Sequence, residues 1–291
     1  NYPFICKIIR KGYVRVNKKR VDNSFLLKSG DLIVLSKKIL IEEEKTSKKP
    51  DKKFEQIIKS WVIYKDENLI VLNKPSGIAV QGGTKIKVNV DILLDHLKFK
   101  NIDRPKLVHR LDKNTSGILL IARNLNYAKF LGDKFKNRKI EKKYLAFVHG
   151  VPNYKTGRIE IPLFEGERKL STVTLYKVLK SSTKDSLVLI KPITGRKHQI
   201  RKHFSLIGNF IIGENKDFIK KKPDSLNKNF FLHALELSYK NIDSENFLFT
   251  APLPEYFIEK IKDLGFEFDE ISSKKDFLDL HNYQSIEKIH D

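Results

Sequence analysis

Methionine is absent from this chain, and cysteine and tryptophan occur once each. The single Cys6 excludes a disulfide framework and a thiolate metal cluster, and it fits a reducing compartment. The eight histidines fall into no zinc pattern: His198 and His203 stand five apart, off the spacing that puts two ligands on one helical face. No run approaches the roughly 18 consecutive apolar residues of a membrane-spanning helix, and no secretory leader opens the chain. Without Met, Asn1 does not read as a translation start, and a segment is expected ahead of it. A glycine-rich phosphate loop and a βαβ alternation are both missing, which argues against a nucleotide-cofactor fold, and no internal repeat is visible. Negative charge is also scarce. Against 57 basic residues stand 35 acidic ones, a formal net charge of +22. Such a field draws polyanions, nucleic acid or an anionic surface, although a chain this rich in Lys, Asn and Ile also carries the mark of compositional bias.

A chain of 291 residues can hold one large domain or two smaller ones and bury a sizeable core. Residues 1–41 read as a small unit: Ile5, Ile8 and Ile9 at helical spacing, Arg10-Lys11-Gly12 closing the helix, Val14 and Val16 alternating in a strand. A Lys18-Lys19-Arg20 turn and a second strand over Asp31–Ser36 follow. Residues 42–57 are charged and nearly devoid of apolar side chains, a linker composition. From Trp61 the character changes. Two apolar runs around Lys65-Asp66-Glu67-Asn68 predict a hairpin, and helices are predicted over Val90–Lys98 and Leu125–Lys139 from their apolar stripes. Short strands dominate thereafter: Tyr144–Val148, Arg158–Leu163, Thr172–Val178, Leu187–Ile193, Phe230–Tyr239 and Phe247–Thr250. Hairpin-sized gaps between several of these predict an α+β fold, a mostly antiparallel mixed sheet with packed helices, over 58–262. Residues 263–291 read as a C-terminal tail, helical or disordered.

One stretch organises the rest. In Pro105–Asn124 a single carboxylate, Asp112, lies just ahead of Thr115-Ser116-Gly117 and the buried-strand pattern Ile118–Ala122. An acid on a loop entering a core strand can be held in one direction, and a neighbouring cation favours its ionised form, as a nucleophile requires. The same spacing also suits a turn-forming Asp in a surface ion pair.

His109-Arg110-Leu111-Asp112 followed by Thr115-Ser116-Gly117 resembles the signature of the RluA/RluC/RluD group of RNA pseudouridine synthases. Three further stretches resemble that family in the same order: Leu72-Asn73-Lys74-Pro75-Ser76-Gly77, Lys143-Tyr144-Leu145-Ala146, and Thr194 through His203. Leu232-His233-Ala234 and Ala251-Pro252-Leu253 also fit, so the resemblance covers about residues 60–260. The first motif leans toward the RluC-like branch. Ahead of it, Ile8 through Val21 with Lys28-Ser29-Gly30-Asp31 resembles the later part of an S4 RNA-binding domain. The fold expected is therefore the pseudouridine synthase catalytic fold preceded by a partial S4-like module.

The resemblance implies an isomerase that breaks the uridine C1′–N1 bond, rotates the uracil and rejoins it through C5, without metal, redox cofactor or nucleotide. It implies RNA as partner, most of all large-subunit ribosomal RNA, for a cytoplasmic monomer that does not use a membrane. Asp112 is implied as the essential carboxylate, Arg201 as its partner, Tyr144 as the ring that stacks on the target base. Arg110 is implied to hold the flipped nucleotide and nearby phosphates, and Leu232 to line the uracil pocket. Lys11, Arg15, Lys18, Lys19 and Arg20 of the first unit are positioned to meet RNA phosphates. Gln81 stands where relatives often carry His, beside Gly83; that change is expected to alter RNA contacts and leave the chemistry alone. Helical spacing sets Arg201 with His198, Lys202 and Ser205 on one arc and Ile200, Phe204 and Ile207 opposite. His109, His198, His203 and His233 read as holding loop and helix geometry. A glycosidase would want two carboxylates across the bond, and the matched motifs contain one. The competing class is a non-catalytic RNA-binding or ribosome-assembly protein.

Overall fold

The computed structural model describes residues 2–39, 52–82, 88–99, 103–214, 229–266 and 284–286. The chain divides into two units, Asn1–Asp51 and Lys52–Asp291. In the first, α1 (Tyr2–Arg10) ends with Lys7 and Arg10 in its last turn, where the helix dipole favours cations. It leads into an antiparallel sheet of β1 (Val14–Val16), β2 (Lys19–Arg20) and β3 (Ile33–Leu35), with β1 in the middle. The tight turn falls one residue earlier than the sequence suggests. Asn17 and Lys18 both have positive φ, 50° and 66°, and Val16 pairs with Lys19. That is the primed hairpin geometry, which Asn tolerates better than most residues. Asn17 also fixes the turn: its Nδ2 donates to Asp31 at 2.7 Å and its Oδ1 accepts from the Leu32 N–H at 2.9 Å. Ile8 and Val16 are the buried apolar residues among those described in this unit, while Leu26, Leu32 and Leu35 are exposed.

In the larger unit α2 (Lys53–Ser60) begins inside the stretch that composition marks as linker; residues 42–51 lie outside the described residues. Ile58 is wholly buried and Phe54 packs on the same cluster, two apolar residues four apart that dock a helix whose remaining side chains, Ile57 included, stay largely exposed. β4 (Val62–Lys65) and β5 (Leu69–Lys74) form the antiparallel hairpin. α3 (Val90–Leu93), capped by Asn89, runs into a 3₁₀ turn over Leu94–Leu97; Gly83 lies outside the described residues. Next come β6 (Lys106–Leu107), β7 (Ser116–Ala122), α4 (Leu125–Lys136), β8 (Glu141–His149) and β9 (Thr156–Ile159). Pro162, which has no N–H for a ladder, separates β9 from a small hairpin of β10 (Leu163–Glu165) and β11 (Arg168–Leu170), so the single strand expected over Arg158–Leu163 is split. β12 (Thr174–Ser181), β13 (Asp185–Pro192), α5 (Gln199–Leu206), β14 (Leu232–Lys240), β15 (Asn246–Thr250) and α6 (Glu255–Asp263) follow. β16 (Gln284–Ile286) lies in the tail and pairs parallel with β9; residues 267–283 and 287–291 lie outside the described residues.

The unit is α+β: eleven strands make one mixed sheet in the order β16-β9-β12-β13-β8-β14-β7-β5-β4, with β15 on β14 and β6 on β7. It is antiparallel except at β14/β7 and β16/β9. Side chains alternate across it. On one face Ala146, Val148 and Ile190 pack with Ile200 and Phe204 of α5, and Ile70, Leu119 and Ile121 with Leu93 and Leu97. On the other, Phe147 meets Phe257 of α6, and Leu120 meets Leu131 of α4. Strands covered on both faces read as unbroken apolar runs, which is why Ile118–Ala122 is legible as a strand. Tyr144 packs against both clusters of the first face, and the site opens where those clusters meet.

Candidate active site

Asp112 sits on the loop entering β7 and closes a turn, its backbone carbonyl accepting from the Thr115 N–H at 3.2 Å. Three contacts hold this loop. The Lys74 ammonium, withdrawn from water, donates to the carbonyls of Pro75 (2.8 Å), Ile78 (2.8 Å) and Lys113 (3.2 Å). Ser76 Oγ donates to the Asn114 carbonyl at 2.6 Å. On the other side the Leu120 N–H donates to His109 Nε2 at 2.8 Å, and the imidazole stacks on Phe135. Burial pushes the His109 pKa down to about 3 and the Lys74 pKa down to about 7, with Asp112 pulling the lysine back up. Three carbonyl acceptors match the three protons of an ammonium, so the geometry is built for the charged lysine.

The acid faces α5. Arg201 Nη1 donates to Asp112 Oδ2 at 3.3 Å, while Nε and Nη2 grip Glu214 at 2.8 and 2.6 Å. The guanidinium is thus a bridge between two carboxylates, with its two-pronged side on the deeper one. Burial works against the Arg201 charge, but Glu214 and then Asp112 outweigh it and raise its pKa above the ordinary value. Phe230 lies under the guanidinium, 5.4 Å from the ring centre. Gly213, at φ +83°, places Glu214: a side chain there would strike the Asn229 carbonyl.

Gln199 fixes the start of α5. Its Oε1 accepts from the Arg196 N–H (3.0 Å) and Thr194 Oγ1 (2.7 Å), and its Nε2 donates to Val173 O and Thr174 Oγ1. His198, just ahead, is in the left-handed region at φ +56°, with Nε2 3.5 Å from Asp112 Oδ1. Ile200 and Phe204 anchor the helix as their spacing suggests, and His203 is buried against Thr172 and the Ile161 carbonyl.

Tyr144 of β8, Ala234 of β14 and Gly117 of β7 lie in register across three strands. Gly117, at φ +106°, permits this, because a Cβ would collide with the Ala234 carbonyl. Next to it Ser116 Oγ meets His233 Nδ1 at 2.9 Å, and burial pushes the His233 pKa down to about 4. The result is a cleft of about 520 Å³ lined by Asp112, Tyr144, Arg201 and Leu232, with the exposed Arg110 also at its edge. Burial, and then the Asp112 charge, raises the Tyr144 pKa and keeps its phenol protonated. Asp112 is the one acid among the lining residues.

Arg110 is exposed and makes no ion pair with Asp112 among the described residues; the acid pairs with Arg201 of α5, lies beside the His198 imidazole at its cap, and feels the Lys74 charge from β5. Lys11, Arg15, Lys18, Lys19 and Arg20 lie in the first unit, with Arg15, Lys18, Lys19 and Arg20 exposed and Lys11 at the end of its helix. The sequence reading missed Glu214, thirteen residues past Arg201, and the part Lys74 plays. The Ile212-Gly213-Glu214 turn gives no local hint that the acid doubles back onto a helix. Among the described residues no three His, Cys, Asp or Glu side chains form a metal-holding group, and no helix is long and apolar enough to cross a membrane.

Residues 68–206, which contain Asp112, Tyr144 and Arg201, match the family profile described as RNA pseudouridylate synthase. A protein of Rickettsia conorii named ribosomal large subunit pseudouridine synthase C is 37% identical over 286 residues, covering 89% of this chain and 93% of that protein. Its namesake in Buchnera aphidicola is 33% identical, covering 90% and 89%. Among solved structures, human RNA Pseudouridylate Synthase Domain Containing 4 superposes with a TM-score of 0.63 at 26% identity, over 74% of this chain and 97% of that one.

Proposed function

The chain belongs to the RNA pseudouridylate synthase family, and from that premise we propose that it converts particular uridines of large-subunit ribosomal RNA to pseudouridine. The observation that carries this reading is the Asp112–Arg201 contact, 3.3 Å long, on the wall of a cleft that also presents Tyr144 and Leu232. Asp112 acts on the nucleoside. Attack at C1′, attack on the uracil ring and removal of a ribose proton share one need, an ionised carboxylate aimed at a single place. Arg201 meets that need as a positioning residue, itself held by Glu214. Tyr144 offers a ring on which the base stacks and a hydroxyl that remains a donor. Leu232 closes the apolar side, and Arg110 at the rim holds the extruded nucleotide, whose unstacking costs a few kcal/mol.

The first unit, an S4-like module over 1–41, supplies RNA affinity through Lys11, Arg15, Lys18, Lys19 and Arg20. An RNA-binding protein without catalysis would need neither the Arg201 bridge nor a buried Glu214, so the enzyme reading is favoured. Modified uridines mapped in ribosomal RNA from cells with and without this chain test it. Loss of at least one pseudouridine from the large subunit is expected, and an unchanged map would overturn the reading.

A further inference from the structure

The cleft lining also carries cations that do not pair with Asp112 among the described residues. Lys142 of β8 lines it, half-buried, with Arg138 and Arg196 alongside. The Lys142 ammonium lies by Gly195, at ordinary contact distance from where a Cβ on that glycine would stand, so the Gly195-Arg196 turn faces it directly. Among the described residues none of the three makes an ion pair. This is unlike the basic residues nearby: Lys143 pairs with Glu236 at 2.6 Å and Lys191 with Glu141 at 3.0 Å. Crowding shows in the Lys142 pKa, which burial lowers first and the Arg138 charge lowers further.

Arg138 carries a second signal. It follows α4 in the left-handed region, at φ +57°, where its N–H donates to the Phe135 carbonyl and the Lys139 N–H to the Lys134 carbonyl. That is a helix-ending position glycine fills without strain, whereas a side chain there costs about 1 kcal/mol or more. Strain retained at a cleft rim points to a task for the side chain. Like charges gathered without counterions, one of them partly desolvated, are best satisfied when an anion joins them.

We propose that Lys142, Arg138 and Arg196 form a subsite for one backbone phosphodiester of the RNA, next to the nucleotide that enters the cleft. The inference rests on the function proposed above. The subsite fixes the strand at the Gly195-Arg196 turn of the cleft, in addition to what Asp112 and its partners do to the nucleoside.

The test uses the full chain and an unmodified large-subunit ribosomal RNA transcript. Binding is measured across a salt series for wild type, Lys142→Met, Arg138→Gln and a distant control on the β10/β11 hairpin, Lys169→Gln. Removing a phosphate contact should lower the slope of log K against log salt by about 0.7 to 1 for each site variant. The control should leave it nearly unchanged. KM should rise several-fold with kcat within about twofold, and Lys142→Arg should restore both slope and KM. Because Arg138 is exposed, its variant keeps the test open if Lys142→Met fails to fold. Slopes equal to wild type in both site variants, or a control effect as large as theirs, would overturn the subsite. A wild-type chain that binds the transcript but forms no pseudouridine would instead sink the proposed function, with the salt slopes still reading the subsite.

Discussion

In the first unit the basic side chains Arg15, Lys18, Lys19 and Arg20 stand exposed on a hairpin, with Lys11 at the neighbouring helix end. In the larger unit Lys74 and Arg201 are almost wholly withdrawn from water and bonded to named oxygens. The contrast separates two uses of positive charge. Exposed cations attract RNA over a screening length of about 8 Å at physiological salt and tolerate movement. Buried ones have no access to a strand; they fix where an acid points. Exposed charge removed from the first unit should therefore be felt in affinity, and buried charge removed from the larger unit in rate and stability.

The largest effect short of replacing the acid itself is expected from Arg201→Ala. It leaves Glu214 buried without its cation, so stability should fall by about 3–5 kcal/mol, and turnover at saturating RNA should fall by about a hundredfold or more. Thermal unfolding with single-turnover kinetics checks both; an unchanged rate constant would break the link between Arg201 and Asp112. Glu214→Gln is milder. It keeps the shape and removes the charge that orients the guanidinium, so kcat should drop by about tenfold to a hundredfold with KM little changed. A KM effect alone would mean that Glu214 serves the fold and not the acid.

Acid should weaken the larger unit in a defined window. Burial pushes His233 and His203 down to about 4, from an ordinary 6.5. Below about 6.5 the unfolded chain takes up protons that these folded imidazoles refuse. Their contribution is therefore intact above about pH 6.5 and is lost as pH falls toward about 4, for His233 by about 3 kcal/mol. A melting temperature that stays level over that range would contradict the burial argument. The smallest effect belongs to the first unit. Lys18→Gln with Lys19→Gln should weaken RNA binding modestly and lower the salt slope by about 1 for each phosphate no longer neutralised, with kcat unaltered; an unaltered slope would show that this hairpin meets no phosphate.

The body of the fold was legible wherever burial is continuous. Ile118–Ala122 and Leu69–Leu72 are covered on both faces, and their apolar runs announce it. The stripe of α4 and the anchors of α5 follow from spacing in the same way. Features that depend on a distant partner were not legible. The parallel joint between β7 and β14 requires Gly117 to pass the carbonyl of Ala234, far along the sequence, and only the folded sheet reveals that approach. α2 hides in a charged stretch because two apolar residues are enough to dock it. Asp112 was singled out beside Arg110, yet its ion pair is with Arg201 of α5, since adjacency in a loop says little about where a long side chain goes. Glu214 escaped notice because an acid that answers a buried Arg looks, in sequence, like any other acid.

The sharpest test of the Asp112 assignment is Asp112→Asn, with RNA affinity and pseudouridine formation measured on the same purified chain and the same large-subunit transcript. The substitution keeps the shape of the side chain and removes its charge. Folding and binding should stay close to wild type while isomerisation disappears. Pseudouridine formed at the wild-type rate by this variant would contradict the assignment.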